Sequence, residues 1–158
     1  MRRIRICLAA VGGTACAVLA LASVSQAAAS SIKGSYASTC TSSGAVCLTI
    51  AGREAPIGPF TGAITGFVPS GTGGCPPAAD SCTTGTITTA NGDKYYTFTI
   101  LYVTGFDSST GMLEFVQQIN VVGGTGRFTD ATGTSAASGE ASPDFSTYHA
   151  SYSGTFTP

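Results

Sequence analysis

Chemistry needs groups that move protons, attack, or hold metals, and this 158-residue chain offers few of them. Glu114 is the sharpest. It sits mid-pattern in an apolar run, flanked by Leu113 and Phe115. Turned inward, burial would raise its pKa and make it a general acid or a stabiliser of a developing cation. Turned outward, it is a solvated glutamate or a partner for Lys94 on the neighbouring strand. It is the one catalytic candidate. His149 is the single histidine, in an alternating stretch with serine neighbours, so an exposed position is expected. No nucleophile–His–acid set follows from one histidine without a matching motif. Asp107 and Asp144 fall in turns and read as caps, and Asp130 reads as structural. No metal site is expected, because no C-x-x-C spacing exists and His149 is far from the cysteines in sequence.

A second kind of chemistry is recognition. Along Lys94–Thr104, the residues Tyr96, Phe98, Ile100 and Tyr102 share one face. Tyr95, Thr97, Thr99, Leu101 and Val103 share the other. Near the C-terminus Tyr148, Ala150, Tyr152, Gly154 and Phe156 line up together. Tyrosine hydroxyls among apolar rings are a usual lining for a small ring-bearing or lipid-like molecule. Tyr96, Phe98, Tyr102, Tyr148 and Tyr152, with Glu114, are therefore the expected ligand-facing set. The plainer alternative is core packing, with hydroxyls at the ends of the fold.

These residues need elements to position them. Charged side chains are scarce, Gly, Ser and Thr abound, and nothing past residue 27 shows a 3.6-residue apolar period. The chain reads as all-β, with strands near 32–38, 45–51, 60–68, 84–90, 94–104, 111–122, 131–140 and 147–157. Asn91-Gly92 is a type I′ hairpin signal. Two longer connections are expected, Gly52–Pro59 and Pro69–Thr83, the second read as a surface loop pinned by its own disulfide. Eight antiparallel strands can close into a small barrel that leaves no open edge; a two-sheet sandwich is the alternative.

The N-terminus carries an address. Met1-Arg2-Arg3-Ile4-Arg5 is followed by an alanine-rich apolar run to Val24 and by Ser25-Gln26-Ala27, a signal-peptidase pattern. Residues 1–27 read as a signal peptide and 28–158 as one domain, with an uncleaved anchor as the rival reading. Membrane contact is expected only through that segment before cleavage, and the protein is expected to be secreted. After cleavage four basic residues face eight acidic ones, a net charge of −4, which argues against nucleic acid as a partner. Four cysteines remain, Cys40, Cys47, Cys75 and Cys82, and each neighbouring pair encloses six residues. An even count in an exported chain reads as two disulfides, and the matched spacing favours local pairing over the other two connectivities.

The stretch from Val121 to Gly133, Val-Val-Gly-Gly-Thr-Gly-Arg-Phe-Thr-Asp-Ala-Thr-Gly, is the most specific motif. Its glycines invite a phosphate-binding reading, but no Lys-Ser/Thr follows and no helix N-terminus is expected. The motif resembles the corner of the dirigent and allene oxide cyclase barrel-like superfamily. The resemblance covers best the C-terminal half, from about Tyr95 to Phe156. It implies an eight-stranded antiparallel barrel, no cofactor, and homo-oligomers that cover the outer face. Within the corner Phe128 is expected to plug a barrel end, and Arg127 to meet Asp130, Glu140 or loop carbonyls. No catalytic residue of the family aligns to this chain, so none is carried over. Three functions stay open: a non-catalytic binder of a small apolar or aromatic molecule, a cofactor-free cyclase or isomerase, and an interaction or structural module.

Overall fold

The computed structural model describes residues 28–40 and 44–158; the expected signal peptide lies outside them. Eight strands follow in chain order: β1 Ser30–Ser38, β2 Thr49–Ala55, β3 Gly58–Val68, β4 Ser81–Thr89, β5 Lys94–Asp107, β6 Met112–Gly124, β7 Thr132–Ala141 and β8 Tyr148–Thr157. Each pairs antiparallel with its sequence neighbour, and β8 pairs with β1 from Ser30↔Phe156 to Ala37↔His149. The sheet is a closed barrel, so the sandwich alternative falls.

The strands form because these segments alternate small or polar residues with apolar ones, which suits a surface buried on one side. Ile32, Tyr36, Phe60, Ile87, Tyr95, Phe115, Tyr152 and Phe156 form the main interior cluster. A second cluster lies on the outer side of β4 and β5. There Cys75, Ala79, Cys82 and Ile100 pack together, with Val68, Phe98 and Tyr102 against them. The disulfide-pinned connection between Val68 and Ser81 thus covers part of the outer barrel wall.

Three local expectations change. The first long connection vanishes: β2 runs on to Ala55 and a two-residue link, Pro56-Ile57, leads into β3. The prolines misled because Pro56 sits in the turn, with a cis bond to Ala55, and Pro59 near a strand start, where a proline is tolerated. The Asn91-Gly92 turn exists, but of the two only Gly92 has positive φ (90°), so the turn is not type I′. Arg127 pairs with Asp93 at 3.3 Å and lies 4.6 Å from the Phe128 ring centroid, rather than meeting Asp130 or Glu140.

The glycine-rich corner closes one end of the barrel as expected. Phe128 is 1% exposed. It forms a three-ring cluster with Tyr95 and Phe156, centroids 5.5–5.6 Å apart. A Cβ on Gly124 would lie 2.2 Å from the Lys94 carbonyl oxygen, so only glycine lets the corner press onto β5. Thr125 N donates to that same carbonyl at 2.7 Å.

The opposite end is open among the described residues and carries both disulfides, Cys40–Cys47 and Cys75–Cys82, paired locally as the spacing predicted. Asp107 and Asp144 cap turns there. Asp144 accepts from Ser142 Oγ, Ser146 N and Gly44 N, which holds its carboxyl well below the usual range. Phe145, in the same turn, has φ of 52°. Its carbonyl accepts from Cys47 N at 2.9 Å.

Candidate functional site

The barrel is not filled. A cavity of about 290 Å³ occupies the lumen, at the small end of the range for ligand pockets. Its walls are apolar, with Ile50, Ile87, Leu101, Phe115, Ile119 and Val121 among them. Val46, Phe67, Val103 and Phe145 stand at the open end.

One carboxylate lies inside. Glu54 is 3% exposed, on β2 between the outward Arg53 and Ala55. Its Oε2 accepts from Tyr152 Oη at 2.6 Å and from Tyr95 Oη at 3.0 Å. Its Oε1 is buried with no partner. The arrangement has a local cause on β1. Gly34 is registered between Glu54 on β2 and Tyr152 on β8. A Cβ there would lie 2.6 Å from the Tyr152 ring and hydroxyl and 2.4 Å from the Arg53 carbonyl oxygen. The missing side chain is what lets a tyrosine of β8 reach across β1 to a glutamate of β2.

The electrostatics follow. Burial raises the Glu54 pKa above the usual carboxylate value, and the two tyrosine hydrogen bonds only partly offset it. Burial first, and then Glu54 itself, pushes the Tyr95 and Tyr152 hydroxyls far up, so both stay protonated donors. Nearby, Tyr36 donates to Gln117 Oε1 across the lumen. Tyr148 donates to the Cys47 carbonyl at 2.9 Å, its hydroxyl pushed up to about 12 by burial.

Of the expected ligand-facing residues, the structure brings only Tyr148 and Tyr152 to the lumen. Tyr96, Phe98 and Tyr102 face outward. Phe98 and Tyr102 pack under the covering connection and Tyr96 is exposed. The inward face of β5 is the other one: Tyr95, Thr97, Thr99, Leu101 and Val103. The assignment reversed because an aromatic face was equated with the interior, whereas this wall is covered on its outside too. Glu114 is exposed and lies opposite Gly105 and Glu140, not Lys94, which pairs with Thr88 at the other end of β5. His149 is exposed as expected, 4.0 Å from Glu140.

Glu54, Tyr95 and Tyr36 are the residues that sequence reasoning missed. The alternation Ile50-x-Gly52-x-Glu54 was available, but the prolines beyond it turned the reading towards a loop. No group of three or more potential metal ligands occurs among the described residues. No family model, no curated protein and no solved structure matches the chain.

Proposed function

We propose that the barrel lumen binds one small, largely apolar molecule and that Glu54 anchors its polar group. The observation that carries this reading is the unpartnered Glu54 Oε1 beside an apolar cavity open at one end. A buried polar atom without a partner costs roughly 1–3 kcal/mol, which a ligand donor would recover. The test uses prodan, a neutral dye that brightens in apolar surroundings, and an Ile119→Trp variant that fills the lumen. Prodan should brighten with the unsubstituted protein and fail to do so with a variant of unchanged far-ultraviolet circular dichroism. Equal brightening with both would place the dye elsewhere and sink the reading.

A second reading is a cofactor-free cyclase or isomerase, of the kind the Val121–Gly133 corner resembles. It is favoured by an inward carboxylate held above the ordinary range, the property a general acid needs. A molecule retained through purification would be rearranged without change of mass by the unsubstituted protein. Glu54→Gln would bind it without rearranging it. Equal turnover by the variant would remove Glu54 from any catalytic role.

The protein is also read as exported. The leader-like residues 1–27 and two disulfides support this. N-terminal sequencing of protein from culture medium should begin at Ala28; recovery only in the cell interior with free thiols would reverse it.

A further inference from the structure

The charges around the lumen are one-sided. Among the described residues no lysine, arginine or histidine lines the cavity, and its two carboxylic acids are Glu54 in the wall and Asp80. Asp80 is exposed beside β5, where its Oδ2 accepts from Val103 N at 2.7 Å. The basic side chains among the described residues, Lys33, Arg53, Lys94 and Arg127, are all exposed and none belongs to the cavity wall. An anion entering this lumen would lose its hydration and find neutral hydroxyl and amide groups but no basic side chain to balance its charge against Glu54.

The anchor itself has a direction. Both tyrosine hydroxyls donate to the same oxygen, Oε2, leaving Oε1 without a donor. At 2.6 and 3.0 Å the Tyr152 and Tyr95 hydroxyls are both spent on Oε2 and neither is left for Oε1. What Oε1 lacks is a strong N–H or O–H donor. Tyr95 and Tyr152 bond the neighbouring oxygen, Tyr36 packs 6.2 Å from Tyr152 and Phe156 5.5 Å from Tyr95, centroid to centroid, and all four rings are on the cavity wall. Aromatic faces attract ammonium groups, more strongly where water is excluded.

We propose that the lumen is selective for hydrophobic organic amines, the ammonium group entering first and donating to Glu54 Oε1 while the apolar body fills the space towards the open end. The proposal rests on the lumen-binding reading above and names the ligand class for the same site. Carboxylic acids of equal shape are excluded because Glu54 repels them and no basic side chain on the described wall compensates. The aromatic rings add affinity for the cation without adding a competing donor.

The test is a displacement series against prodan with three molecules of one shape: 4-phenylbutylamine, 4-phenylbutanol and 4-phenylbutyric acid, at pH 7.5. The amine should compete at least ten-fold more tightly than the alcohol, and the acid should not compete. In Glu54→Gln the amine should fall to the level of the alcohol. An alcohol that matches or exceeds the amine would overturn the proposal and instead make a protonated Glu54 the donor to a neutral ligand, leaving the lumen reading intact. An amine preference that survives in Glu54→Gln would overturn it as well, as would bound prodan that none of the three displaces. Absence of prodan brightening would instead defeat the lumen reading itself. The unsubstituted protein alone separates the ligand classes, so the outcome does not hang on the variant's folding.

Discussion

The two ends of the barrel solve opposite problems with different chemistry. The plugged end packs Phe128 edge against face on Tyr95 and Phe156 and seals the corner with Gly124, where any Cβ would run into the Lys94 carbonyl oxygen. Among the described residues the open end has no such plug. It is held by covalent bridges, by Asp144 gathering three donors, and by Phe145 bonded through its carbonyl to Cys47. Apolar packing fills space, so it cannot frame an entrance; cross-links and capped turns fix a rim while leaving the middle free. The carboxylate lies between the two regimes, hydrogen-bonded to a member of the plug, Tyr95.

The contrast can be broken most severely at the plug. Phe128→Ala should cost about 3–5 kcal/mol, the usual range for deleting a fully buried phenylalanine. Urea titration reads it directly, and a loss below about 1 kcal/mol would mean the ring cluster is not what closes that end. At the rim, replacing Cys40 and Cys47 together with serine should cost less, about 2–3 kcal/mol in the chain-entropy model for so short a loop. Its signature is local: amide exchange should speed up over Ser142–Tyr148 and stay unchanged over Gly124–Ala131. Faster exchange at both ends alike would dissolve the distinction.

The smallest effect has the opposite sign. Glu54 is faced by Tyr95 and Tyr152, which bond it, and by Tyr36, which packs 6.2 Å from Tyr152 ring to ring. Its folded pKa is raised, so the folded protein binds this proton more tightly than the unfolded chain does. The resulting stability is fully present below the ordinary carboxylate pKa of about 4.3 and is lost as pH climbs through the raised value. Glu54→Gln escapes that loss. It should match the unsubstituted protein near pH 4 and exceed it by about 1–2 kcal/mol at pH 8. Thermal melts at the two pH values check this, and a stability gap that does not widen with pH would show that Glu54 stays ionised without penalty.

Much of the architecture was legible in the chain. Strand number, approximate borders, local cysteine pairing and the plugging role of Phe128 all follow from alternation, turn residues and the corner motif. The interior was legible in part. On β8 the tyrosines alternate with serine, threonine and histidine, so the inward face declared itself. On β5 both faces carry large side chains, because the outer face is buried by the Cys75–Cys82 connection. Periodicity reports burial, and where a wall is covered on both sides it cannot report direction. Glu54 was hidden for another reason: its role depends on a glycine on β1 and a tyrosine on β8, more than 90 residues apart, and no local window contains all three.

The order of the strands has a kinetic side. Seven of the eight seams join neighbours in sequence, while the seam between β1 and β8 joins Ser30 to Phe156. The seven can zip as successive hairpins, each closing a short loop at low entropic cost. The last seam waits for all of them, and until it forms both β1 and β8 present bare edges. That interval is the molecule's exposure to its own kind. In crowded refolding, a β8 edge that met the β1 edge of another copy would give an exchanged dimer built from the same pairings that close the monomer.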